Sequence, residues 1–271
     1  MTYTLIPLTR SDRHVQLIDT HSHIDVPEFA ADRGAVIERA RAAGVYAQIV
    51  PAIEAATFGA LDRLCADQSG LFPAYGLHPM LVAEHRPEHL AKVRHYLESG
   101  KAIAVGECGL DFYIEGLDPD TQRHYFIEQL KLAREFGLPV VVHARRSVEE
   151  VIAHLRKFSG LGGVVHSFPG SEEQARQLWK LGFSLGIGGP VTYERANRLR
   201  RLVTSMPIEY LLLETDSPDQ PDQWQRGKRN EPALMVRVAQ VVADLRGTTI
   251  DAIAGHTTAN ATRVFKLPPI S

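Results

Sequence analysis

Two hydropathic patterns alternate along the chain. Short apolar runs occupy 17–20, 45–50, 71–76, 102–107, 139–143, 163–166, 183–188 and 210–216, and each has the length of a buried strand. Between them the apolar residues recur at helical spacing, as in Val36, Ile37 and Ala40 before Gly44, and Phe126, Leu130 and Ala133 before Gly137. A glycine just past the last apolar position is a helix stop. Strand and helix therefore alternate eight times, at intervals of roughly thirty residues. That rhythm predicts an α/β chain folded as a (β/α)8 TIM barrel, with an open doubly wound sheet as the alternative. Segment 216–230, with Pro218, Pro221 and Gly227, reads as a long loop following the last strand.

The 271 residues suffice for one large core, and no linker or low-complexity tract divides them, so a single domain over 1–271 is expected. The first sixteen residues would form an N-terminal extension ahead of the first strand. A formal net charge of −2 excludes a global positive field for nucleic acid or anionic lipid, so any phosphate binding must be local. The two cysteines, Cys65 and Cys108, lie far apart. That fits a reducing compartment, and with no signal peptide legible the expected location is the cytoplasm. No apolar stretch of about eighteen residues is present, so no membrane span is expected.

Chemistry concentrates where the apolar runs end. The first closes on Asp19-Thr20-His21-Ser22-His23. Residues two apart on extended backbone share a face, so His21 and His23 can present two imidazoles to one ion. Asp19 has the same parity and is placed to brace them. Glu107 ends the fourth run, flanked by Gly106 and Gly109; taken alone, a strand-end glutamate can equally be salt-bridged or solvated. Cys108 should point away from it, against a helix. His143, His166 and Asp216 end the fifth, sixth and eighth runs. A lone histidine there is commonly structural, but four with two carboxylates at the ends of five strands form a pattern that packing does not explain. In a barrel all six would converge on the C-terminal mouth, where barrel chemistry is located. The set exceeds what one tetrahedral ion needs and suits two ions sharing a carboxylate, for which Glu107 is central in chain order.

The chain resembles the TatD-like metal-dependent hydrolases of the amidohydrolase superfamily, whose better-known members are deoxyribonucleases. The likeness runs from Leu17 to Phe265. It rests on Ile18-Asp19-Thr20-His21-Ser22-His23, Gly76-Leu77-His78-Pro79, Gly106-Glu107-Cys108-Gly109-Leu110-Asp111, residues 138–143, Val165-His166-Ser167-Phe168, Leu213-Glu214-Thr215-Asp216 and Arg229-Asn230-Glu231-Pro232. Pro169 departs from the family's preference for a small hydroxyl residue. The resemblance implies that His21, His23 and Asp216 hold one ion, that His143 and His166 hold the other, and that Glu107 bridges them. Asp216 would also serve as general base toward the water that the ions activate.

Two further residues are candidate substrate contacts. His78 closes the third run and could touch the substrate or give a proton to the leaving group. Arg145 shares parity with His143, so it could grip a phosphate oxygen or pair with Glu149 or Glu150 on the next helix. Asp111 and Glu214 are expected to brace ligands, and Asn230 and Glu231 to cap a helix. The expected activity is two-metal phosphodiester hydrolysis at DNA ends, with hydrolysis of a small amide, ester or lactone as the alternative. The ions are divalent: zinc, manganese, magnesium, nickel or another first-row metal. The expected substrate is a DNA end or a small phosphodiester, with no membrane and no obligate protein partner.

Overall fold

The structure is a computed structural model and describes residues 15–268. Most of the extension expected over residues 1–16 lies outside the described residues. Eight parallel strands follow one another in a sheet of order β1 to β8. They are β1 (Leu17–Asp19), β2 (Val45–Pro51), β3 (Leu71–Tyr75), β4 (Ala104–Asp111), β5 (Val140–Arg145), β6 (Gly163–Val165), β7 (Phe183–Ile187) and β8 (Leu211–Leu213). Helices α1 (Arg33–Ala42), α2 (Phe58–Asp67), α3 (Pro87–Glu98), α4 (Pro119–Phe136), α5 (Val148–Leu155), α6 (Glu172–Lys180), α7 (Asn197–Ser205) and α8 (Met235–Arg246) alternate with the strands, and α9 (Ile250–Phe265) ends the fold. The architecture is the expected TIM barrel.

Local chemistry sets several helix ends. Asp118 caps α4 by accepting the Thr121 N–H at 2.9 Å, Pro119 opens the helix, and Gly137 closes it at φ 64°. Ser171 and Gln174 form a reciprocal capping box on α6.

Two apolar layers hold the barrel. Ile18, Ala47, Ile49, Ala74, Ala104, Val141, Val164 and Leu212 make the inner cluster, almost one residue per strand, and Ala261, Phe265 and Leu267 from the C-terminal end of the chain join it. Helix α9 packs against β1, β6 and β8 and so plugs the barrel. The larger cluster lies between strands and helices and includes Cys108, as the parity of β4 predicts.

The seam between β1 and β8 closes just beyond the strands themselves. Thr20 N–H donates to Leu213 O at 3.0 Å, Asp216 N–H to His21 O at 2.8 Å and His23 N–H to Ser217 O at 2.8 Å, while Ser22 and Ser217 form a parallel bridge. The residues that close the barrel are thus the ones that carry three of its ligand-type side chains.

Candidate metal centre

The register of β4 against β5 shifts between Val105 and Cys108. An irregularity of this kind re-aims a side chain. Here it turns Glu107 inward, with its N–H donating to Ala52 O at the end of β2. Glycine is required nearby: a Cβ at Gly109, where φ is 145°, would sit 2.0 Å from His143 O.

Glu107 is 1% exposed and divides its oxygens between two groups of imidazoles. Oε2 lies 3.1 Å from His21 Nε2 and 3.5 Å from His23 Nε2. Asp216 Oδ1 lies 3.5 and 3.6 Å from the same nitrogens, which are 3.0 Å apart. On the other side Oε1 lies 2.8 Å from His166 Nε2, 3.0 Å from His143 Nδ1 and 3.0 Å from His78 Nε2. Ligand atoms about 2.1 Å from one ion at 90–109° are about 3.0–3.4 Å apart, so both groups have the spacing of a coordination shell. His21 and His166 stack between them with ring centroids 4.0 Å apart.

Partners on the far side of the rings decide which nitrogens hold lone pairs. His143 Nε2–H donates to Asp111 Oδ2 at 2.8 Å, and His23 Nδ1–H to Pro51 O at 3.2 Å. Each ring therefore turns an unprotonated nitrogen toward Glu107. His78 is the opposite case: its Nδ1 accepts the Met80 N–H at 3.1 Å, so the neutral ring carries its hydrogen on Nε2 and donates to Glu107. By distance His78, Glu107 and His143 form a possible ligand trio, but the hydrogen on His78 Nε2 opposes ligation. The same contact disfavours the imidazolium, leaving His78 a hydrogen-bond donor and not the acid that a leaving group would need.

The bracing carboxylates separate. Asp19 accepts the His21 N–H at 3.2 Å and the Thr215 N–H at 3.0 Å, tying both sides of the seam. Asp111 also accepts the Tyr113 N–H at 2.9 Å. Glu214 reaches His166 Nδ1 only at 3.8 Å, because its Oε1 is held by the Ser167 N–H at 2.5 Å. Burial pushes Glu214 up to about 8 and Asp19 to about 7. For Asp216 burial is outweighed by His23, His166 and His21, which hold the carboxyl far below its ordinary value. Burial and then His166 lower His21 to about 4, keeping that ring neutral with a lone pair available.

The sequence left several positioning residues unread. On α4, buried Gln129 accepts the Leu77 N–H at 2.7 Å and donates to Leu77 O at 3.2 Å, fixing the backbone before His78. Gln122, two helical turns earlier, pairs in the same way with the Asp111 backbone at 2.8 and 2.9 Å. Two glutamines seven apart beside Phe126 and Ala133 were the available signal. Asn230 donates to Thr215 O and Asp219 O, both at 2.9 Å, and so clasps the long loop. Glu231 binds Arg39 and Arg229 where helix capping was expected. Three non-glycine residues with left-handed backbone, Arg146, Ser167 and Asp216, lie just past the ends of β5, β6 and β8, and a fourth, Gln220, lies in the long loop beside Asp216, as strained residues at functional sites do.

Arg145 does not join the cluster. Its guanidinium lies 3.7 Å from the centroid of the Tyr113 ring, and Glu150 is taken by Arg123 at 2.5 Å. Neither expected partner holds it, because the loop after β4 places an exposed aromatic face alongside the end of β5.

An eight-stranded barrel with a buried carboxylate between two imidazole groups at its mouth defines the class: a metal-dependent hydrolase. The family model described as TatD related DNase matches residues 18–266, and the chain belongs to that family. It is 40% identical over 258 residues to the metal-dependent hydrolase YjjV of Escherichia coli strain K12, covering 93% of this chain and 99% of that one. It is 34% identical over 260 residues to the 3'-5' ssDNA/RNA exonuclease TatD of Erwinia billingiae, covering 93% and 100%. The crystal structure of Escherichia coli YjjV superposes with a TM-score of 0.90 at 38% identity, covering 94% of this chain and 99% of that one.

Proposed function

We propose that the protein is a two-metal phosphodiesterase that removes nucleotides from the ends of single-stranded nucleic acid. The observation that carries this reading is the division of Glu107: Oε2 faces His21 and His23, and Oε1 faces His143 and His166. His21, His23 and Asp216 would hold one ion and His143 and His166 the second, with Glu107 shared. This nitrogen and carboxylate set accepts zinc, manganese, nickel and other divalent ions. Bound there, two such ions supply an activated water and neutralise charge on the phosphoryl oxygens.

The chain's own residues do the rest. Asp216 takes the proton of the attacking water on Oδ2, the oxygen not aimed at the imidazoles and oriented by the Gln220 amide at 2.5 Å. His78 donates its Nε2–H to Glu107 Oε1 and so holds that carboxylate in place. Arg145, held against Tyr113 and without a carboxylate partner among the described residues, lies on the same end of the barrel to meet a phosphate or a base. The exonuclease name carried by the Erwinia relative supports nucleic acid over a small carbonyl substrate.

The test is a comparison of substrates on metal-loaded protein with its ion content measured. Single-stranded oligonucleotides and bis(p-nitrophenyl) phosphate should be hydrolysed at two bound ions per chain. Hydrolysis of lactones or carboxylic esters with higher kcat/KM than any phosphodiester would overturn the reading, as would full activity with one ion.

A further inference from the structure

We propose that the cavity beside the metal centre, between the loops after β6, β7 and β8, is a subsite for a second phosphate of the substrate strand, held by Arg195, Arg198 and Arg201. The inference rests on the phosphodiesterase reading above and specifies how a strand is told from an isolated phosphodiester. The cavity has a volume of about 590 Å³, within the range of small-ligand sites. It shares a wall with the metal centre. Ser167, next to His166, donates its hydroxyl to Gln220 Oε1 at 2.7 Å, and the Gln220 amide donates to Asp216. A group bound there is therefore separated from Asp216 by one side chain.

The charge of the lining points to an anion. Several other arginines are neutralised, Arg39 by Glu231, Arg123 by Glu150 and Arg229 by Asp32. Among the described residues no carboxylate lies within 4.0 Å of Arg195, Arg198 or Arg201, although all three line the cavity. Arg198 spends one nitrogen on Pro169 O at 2.5 Å, which leaves its remaining N–H groups to a ligand. Arg195 is 5.5 Å from the centroid of the Tyr193 ring, and Tyr193 is itself anchored by donating to Pro221 O at 3.1 Å. Three uncompensated guanidiniums around one concavity, in a chain of net charge −2, make a local field for phosphate. The location agrees with a frequent feature of barrels, in which phosphate binds at the loops after the seventh and eighth strands.

The arginines are exposed, so their replacement leaves core and metal ligands intact. Binding of a fluorescein-labelled tetrathymidylate to the full chain is measured by anisotropy in EDTA, where no cleavage occurs, alongside kcat/KM of the metal-loaded protein. Each of Arg195→Ala, Arg198→Ala and Arg201→Ala should weaken oligonucleotide binding about tenfold or more. The double variant Arg195→Ala/Arg201→Ala should flatten the slope of log K against log salt by up to ~0.7, the share of the one phosphate held there on a single strand. On metal-loaded protein the loss should appear in KM for the oligonucleotide, with kcat/KM for bis(p-nitrophenyl) phosphate unchanged. Wild-type affinity and salt slope in the variants would overturn the subsite, and so would equal losses on both substrates. Wild-type protein that binds the strand through these arginines but cleaves no oligonucleotide would remove the nuclease reading and leave the subsite standing.

Discussion

Of the three imidazoles that meet Glu107 Oε1, His78 and His143 both carry their hydrogen on Nε2, but His78 turns that nitrogen toward the carboxylate and His143 turns it away, and that difference assigns them different work. His78 takes the Met80 N–H on Nδ1 and keeps its hydrogen on Nε2. His78→Ala should therefore retain both ions and lower kcat by about 10–100-fold, the usual cost of losing a group that orients a metal-site carboxylate. Metal analysis beside steady-state kinetics checks this, and loss of an ion would make His78 a ligand instead. His143 gives its Nε2–H to Asp111. Burial, which alone would raise Asp111, is outweighed by hydrogen bonds from His143, Tyr113 and Ile114 that keep it ionised. Asp111→Asn should cost 10–100-fold in affinity for the ion proposed at His143 and His166. A competitive chelator titration should then show one weakened site and one near wild type, whereas two equally weakened sites would contradict the division of Glu107.

At the scale of elements, α4 does more than cover β4. Its buried glutamines replace water for backbone groups that the barrel leaves open near Leu77 and Asp111. Gln129→Leu keeps the volume and removes the partner of the Leu77 N–H and C=O. Chemical denaturation should report a loss of about 1–3 kcal/mol, and kcat should fall with it because the His78 backbone loses its anchor. A stable variant with wild-type kcat would show that the clamp is dispensable. The strand ends explain why the site could be read before the fold was seen. Apolar runs finishing in His143, His166 and Asp216 were visible because a carboxylate or imidazole at the end of a buried strand is chemically conspicuous. The glutamines were not, since a glutamine on a helix reads as a solvated face until its neighbours are known.

For the molecule as a whole, acid stability depends on groups remote from the site. His154 on α5 packs on Phe126 with no partner for Nδ1, and burial together with nearby Lys157 lowers its pKa below 6.5. The unfolded chain then takes up a proton at a pH where the folded chain does not. The neutral ring's contribution is complete above about 6.5 and is lost as pH falls from there through the folded-state value. His154→Leu should flatten the decline in unfolding free energy between about pH 7 and pH 5. Parallel wild-type and variant curves across that window would exclude this origin. At the far end of the barrel Phe265 at the end of α9 and Leu267 just past it insert beneath the inner cluster, a closure with no counterpart in the βα rhythm.

By itself the sequence determined the alternation of eight strands and helices, because periodicity follows from which faces must be buried. It also determined the identity of the ligand-type residues, because they interrupt apolar runs where charge is costly. Tertiary structure decided what depends on neighbours distant in the chain. The β1–β8 seam joins His21 to Asp216, and the shift in β4 aims one oxygen of Glu107 at each imidazole group. Met80 fixes the hydrogen of His78, and Tyr113 rather than an acid receives Arg145. Proton positions and pairings are properties of contacts, and no run of residues contains them until the chain has closed on itself.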